Sequence, residues 1–369
     1  MVSATIRIPD YLTGYTGKTP YLPSVSWVIE LLVLLEGECN RPVMSRLAVA
    51  TAPRRATIFA ALAALKMDNT ARMAVAELSP AELGDWLLEA DLREIVSVCS
   101  GDDCPGLAGV IEKAVEPLND PADYLWLAKT MQCETDRTRR QALCLRHARH
   151  VTSDLIAVLK TLRNRLLRPA IVSGIGTADR AAHIESLLDH IARVAPNVPP
   201  HVISQSLETG GLSDLFRWAS RMVLRHGVGL NAGLADCDDF NVWQNADDYQ
   251  RGAARFQCCL ADESQGHALA ASFGVSAVLE SKHHKVLAVL TLMSDGGRAP
   301  VWVVLDRLWG PANSRVPVDI ETDIIAALRR RGILSLANTA PAIGASKELI
   351  DAYCDRQEYM TLHFRQIEH

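Results

Sequence analysis

Apolar and polar positions follow two different rhythms along this chain. As far as about residue 228, apolar side chains recur three and four positions apart, the spacing that lines one side of a helix. Between 275 and 307 they come instead in short, β-branched runs bounded by Gly, Pro, Asp and Ser, which is the pattern of strands. The pattern predicts a mainly α-helical region over 1–228 and a small α+β domain over 229–369, the latter built on an antiparallel sheet.

Residues 1–23, with their Thr-Gly steps and prolines, read as an irregular arm. Ser24 or Ser26 can cap a helix from Trp27 to Gly37, where Gly would end it. Arg54–Met67 is a second helix. Ser79-Pro80-Ala81-Glu82 is a helix start with Ser as cap, Pro at the first position and Glu at the third. Leu83, Trp86, Leu87 and Ala90 then form one stripe. Further helices end near Cys99, begin at Leu107, and run from Asp120-Pro121 through Trp126. An irregular helical domain fits these spacings better than a repeat array, because no signature residues recur.

The most regular stretch is Thr138–Arg168, which reads as one long helix stopped by Pro169. Cys144, Ala148, Val151, Leu155, Val158, Leu159, Leu162 and Leu166 share a face. Arg146, Arg149, Lys160 and Arg163 share another, which suits either a phosphate backbone or plain solvation. Ser173-Gly174-Ile175-Gly176 lacks a preceding strand and a GK[ST] ending, so it is a turn and not a phosphate loop. Helices Ala178–Ala195 and Leu212–His226 close the helical part, the last with Leu215, Trp218, Ala219 and Met222 facing inward.

Strands are expected at 275–281, 285–293 and 300–307, the first two joined through Lys282-His283-His284. Ser294-Asp295-Gly296-Gly297 turns the chain into the third. Helices at Gln250–Leu260 and near 319–331 are expected to cover one face of the sheet.

At 369 residues two domains are the better expectation. The net charge of −5 argues against a nonspecific nucleic-acid binder as a whole, leaving room for a local basic face. The odd count of nine Cys and the absence of a leader pattern at the N-terminus point to reduced thiols in a cytoplasm. The longest apolar run, Val28–Leu35, carries Glu30 and is too short for a bilayer. No cofactor motif is present and no metal is expected: Cys258-Cys259 lacks zinc spacing, Cys99 and Cys104 are a lone pair, and His283-His284 has no third ligand in sight.

The order of features from about 235 to 335 resembles the PcfJ-like family of mobile-element and conjugative-plasmid proteins. Cys258-Cys259-Leu260 is followed by Gly266, a hairpin, a strand with Trp302, and the turn Gly310-Pro311-Ala312-Asn313. The resemblance departs at Cys258, where the family has a polar residue, and at Trp309, where it has Arg. It implies association with mobile DNA and no established reaction.

Three functions are compatible with these residues. The first is a cytoplasmic accessory protein of a mobile element, binding DNA or a protein complex on DNA. The second is an enzyme with Cys259 as nucleophile, His267 as base and Asn313, with Arg315, facing the ligand. In the structural alternative to that site, Cys259 and Leu260 are core, His267 is on the surface, and the Asn313 turn only ends a strand. The third is a helical scaffold with no site of its own. Trp243 is open between stacking on a base or partner and packing against the sheet.

Overall fold

The computed structural model describes residues 26–39, 42–67, 71, 75, 78–100, 104–114, 116–231, 234–293 and 302–335. The arm expected over 1–23 and the turn at 294–297 lie outside the described residues. The chain divides into two compact units, Met1–Ala182 and His183–His369. This division precedes the expected border at 228. The Leu215–His226 helix groups with the sheet because it packs on the Ala246–Phe256 and His267–Ser272 helices.

The first unit is helical. Its centre is the Ala52–Met67 helix, buried from Ala56 through Leu65 and packed against the Leu92–Ser100 and Pro121–Met131 helices. Six of its residues are Ala, so neighbouring helices approach its axis closely. The first helix runs Ser26–Cys39, passing through Gly37 rather than stopping there. Its Trp27 indole donates to Leu118 O at 3.0 Å, tying it to a distant loop. Local chemistry sets the helix starts as expected. Ser79 and Glu82 form a reciprocal capping box with Pro80 at the first position, and Asp120 accepts from the Ala122 N–H.

The single long helix expected over 138–168 is not formed. Asp136–His147 ends at Ala148, which is extended (ψ 141°), and a new helix, Ser153–Thr161, starts from Thr152. Asn164–Leu166 is a short 3-10 turn, and Pro169 opens the Pro169–Val172 turn of helix instead of ending one. The break has named causes. Thr152 caps the Leu155 N–H, the Val151 N–H goes to Lys113 O at 3.0 Å, and Lys113 Nζ covers the Arg146 carbonyl at 2.6 Å. These bonds replace the helical ladder where it would have crossed residues 148–152.

The second unit holds a five-stranded sheet in the order β1-β2-β3-β4-β5: Phe240–Val242, Ser276–Ser281, Leu287–Met293, Trp302–Trp309 and Leu334–Ser335. The first four strands are antiparallel and β5 runs parallel to β4. The fold is therefore mainly α with a small α+β module, as the periodicity implies. Both faces are covered. Phe240, Leu279, Ala288, Leu290, Leu292 and Leu305 pack with Ile324 and Leu328 of the Val318–Arg330 helix. Glu280 is on the opposite face, where Trp243 and Arg255 bond to it, so the Ala246–Phe256 helix lies there. The two helices expected to share one face thus lie on opposite faces. That explains why β3 is apolar at nearly every position rather than at alternate ones.

A β-bulge interrupts the β3–β4 ladder. Val289 pairs with Arg307 while Leu290 pairs with Leu305, leaving Asp306 as the extra residue. The bulge shifts the phase of β4. Before it, Val303 and Leu305 face the Val318–Arg330 helix; after it, Leu308 does. Arg307 and Trp309 are thereby turned to the face shared with Glu280, since they pair with Val289 and Leu287.

Candidate functional site

The Ala246–Phe256 helix is the common neighbour of two of the sequence-predicted site turns. Asn245 caps it through the Asp248 N–H, and it ends at Gln257 in a left-handed conformation (φ 53°, ψ 49°). The chain then leaves as extended Cys258 and enters a short 3-10 turn, Cys259–Ala261. The two cysteines are thus not on a helix, although the helix expected over Gln250–Leu260 would have included them. The Pro311–Asn313 turn packs against the same helix, and the Cys turn packs against the His267–Ser272 helix.

Backbone geometry concentrates here. Four non-glycine residues among those described have positive φ, and three belong to these turns: Gln257, Ala312 and Asn313. Gly266, just before His267, is also left-handed, and a Cβ there would lie 2.3 Å from Phe216 Cζ. Only glycine fits that approach, which seats His267 at the start of its helix. The intervening loop is pinned by Glu263, whose carboxylate takes Arg221 Nε at 3.0 Å and lies 3.6 Å from Arg217 Nε. Asp262 accepts from the Ser264 N–H and hydroxyl, both at 2.8 Å. Gly310 N–H to Ser314 O, at 2.9 Å, closes the Asn313 turn.

Leu260 is fully buried, but Cys259 and His267 are half-buried and Asn313 is exposed. His267 meets the Trp309 ring edge-on, with centroids 6.1 Å apart. Burial holds the His267 pKa below its usual value, opposed by the Asp306 carboxylate and reinforced by the Arg307 guanidinium. That direction favours the neutral imidazole, the form a general base needs. Burial also raises the Cys258 thiol, offset in part by the Leu260 N–H. The Cys259 and Asn313 turns pack on the same helix and the helix begun by His267 packs on the Cys turn, and no hydrogen bond joins the three side chains. Sequence reasoning missed Asp306, Arg307 and Trp309. The phase break in VVLDRLW was the available sign.

The four basic residues do not form one face. Lys160 is bonded to Asp123 at 2.6 Å and lies over the Trp126 ring at 5.5 Å. Arg146 reaches Pro105 O at 3.5 Å from the preceding helix. Arg149 is exposed in the break between the helices, and Arg163 precedes the 3-10 turn.

The remaining candidates are settled by their contacts. Trp243 is buried, donates to Glu280 at 3.1 Å and packs against the sheet, so it presents no stacking face. His283, at the hairpin tip, is 3.6 Å from Asp239. Cys104 faces Ala128 O at 3.7 Å; the side chains of Cys99 and Trp302 lie outside the described residues. Among the described residues no cluster of metal-ligating side chains occurs, and no helix is long and apolar enough to cross a membrane. No family model, no curated protein and no solved structure matches this chain.

Proposed function

We propose that the sheet-bearing unit carries a cysteine-dependent acyl-transfer site. Cys259 is the nucleophile, His267 its base, Asp306 the group that orients the imidazole, and Asn313 a donor to the acyl oxygen. One observation supports this reading above the rest. The Cys259 and Asn313 turns, distant in sequence, both reach the Ala246–Phe256 helix through left-handed residues, and His267, whose helix packs on the Cys turn, lies within the field of Asp306. Unusual backbone at converging loops is the ordinary mark of a site.

In this reaction His267 takes the Cys259 proton and the thiolate sulfur bonds to the acyl carbon. The leaving group departs with that proton, and water releases the acid. The test is p-nitrophenyl acetate hydrolysis, with iodoacetamide labelling followed by mass spectrometry between pH 5 and 9. Cys259 is expected to label below the pH range of an ordinary thiol, and Cys258 is not. His267→Ala moves the Cys259 profile to higher pH, and Cys259→Ala removes the burst of nitrophenol. Equal labelling of the two thiols, or an unchanged burst in Cys259→Ala, rejects the reading.

A second reading keeps the PcfJ-like resemblance. It is favoured by the Cys turn, hairpin, β4 and Gly310–Asn313 turn following one another around a single sheet. In it the protein is a cytoplasmic mobile-element accessory that binds DNA or a complex on DNA.

A further inference from the structure

A cavity in the first unit belongs to neither reading. It lies among the Ala52–Met67, Leu92–Ser100, Leu107–Ile111 and Pro121–Met131 helices and has a volume of about 160 Å³. An engineered apolar cavity of roughly 150 Å³ admits a benzene-sized guest. Ala61, Ala64, Ile95 and Leu107 form its walls, each nearly without solvent exposure. Alanine on the central helix leaves this space, which a longer side chain would occupy.

The polar groups of the lining are unequally placed. The Thr57 hydroxyl donates to Pro53 O at 3.0 Å and the Ser100 hydroxyl to Val96 O at 2.9 Å. Both are spent on their own helices, so these walls suit an apolar body. Lys129 and Gln132 also line the cavity and are exposed, so they stand at its open side. An ammonium and an amide beside an apolar chamber match an anionic head on a short apolar tail.

We propose that this cavity binds a small amphipathic carboxylic acid. Its apolar body rests on Ala61, Ala64 and Ile95, and its carboxylate meets Lys129 and Gln132. The proposal stands apart from the cysteine site, and its test reads binding only. Isothermal titration of the full-length chain with octanoate, 1-octanol and octylamine is the measurement. Octanoate is expected to bind once per chain, and octylamine more weakly by about tenfold or more. Lys129→Gln weakens octanoate about tenfold and leaves octanol unchanged. Ala61→Leu abolishes binding of both while circular dichroism stays native. If Ala61→Leu does not fold, Ala64→Val is used, and it should shift preference from octanoate to butanoate. Absence of octanoate binding to the wild type overturns the proposal. So does unchanged octanoate binding in Ala61→Leu, in Ala64→Val, or in Lys129→Gln.

Discussion

The Trp243 indole occupies the space beside the Gly252 Cα, so that a Cβ on Gly252 would lie 2.0 Å from Trp243 Cζ2. The same indole donates to Glu280, which also takes Arg255, and stands edge-on to Tyr249 at 5.3 Å between centroids. Helix propensity alone would make Gly252→Ala stabilising by about 1 kcal/mol. Overpacking should win, giving a net loss of about 1–3 kcal/mol by urea unfolding. A more stable variant would show that the indole does not hold this position.

Leu290 sits in β3 with no solvent exposure, inside the cluster facing the Val318–Arg330 helix. Leu290→Asp should abolish soluble folding of the sheet unit, because a buried unpaired carboxylate costs several kcal/mol, on the order of the whole stability. Lys285→Asp, on the exposed hairpin tip, is the control and should express normally. Soluble Leu290→Asp protein with an unchanged melting temperature would contradict the strand's central place.

His190 ties stability to pH. Ser272 Oγ donates to Leu269 O at 2.7 Å and therefore accepts from His190 Nε2–H at 2.8 Å. The ring lies flat on Phe273, 3.8 Å between centroids, and its bare Nδ1 faces Arg193. Burial, with Arg193 adding to it, lowers the pKa to about 4 from 6.5. The unfolded chain therefore takes up this proton before the folded one does. The contribution is intact above pH 6.5 and is lost as pH falls toward 4, at no more than about 1.4 kcal/mol per pH unit. Urea unfolding at pH 7.5, 6 and 5 should show a shallower decline for His190→Phe than for wild type. Parallel curves would mean that His190 does not titrate between the two states.

Lys160 and Arg149 separate the structural use of basic residues from the DNA reading. Asp123 is mostly buried beside Lys160, so Lys160→Glu sets two carboxylates together and should cost about 1–3 kcal/mol. Arg149→Glu, on exposed chain, should stay within about 0.5 kcal/mol. If the protein binds duplex or single-stranded DNA, affinity must fall with salt, with a shallower slope in an Arg149→Glu, Arg163→Glu variant. No binding of either form at low salt removes that reading.

Much of this architecture could be read from local chemistry. Ser79-Pro80-Ala81-Glu82 and Asp120-Pro121 start helices because their caps need only neighbours in sequence. The runs at 275–293 make strands because β-branched residues with turn signals leave few alternatives. The break at Ala148 is different. The apolar period continues through it, and it forms because Lys113, remote in sequence, takes the Val151 N–H and covers a helix end. The site was half legible for the same reason. Cys259, His267 and Asn313 stand out by type and turn context. Asp306 and Trp309 acquire their places only through pairing with β3.

That pairing makes β4 a strand with two reading frames. Ahead of Asp306 the odd-numbered residues belong to the Val318–Arg330 side; beyond it the even-numbered Leu308 does. A ladder that ran on through Asp306 without the bulge, pairing Asp306 with Val289 and Arg307 with Ala288, would turn the Arg307 guanidinium into the apolar cluster. Trp309 and Leu308 would then exchange sides, carrying the indole away from His267 and putting it against the opposite helix. One residue left out of the ladder thus decides which side of the sheet owns the end of β4.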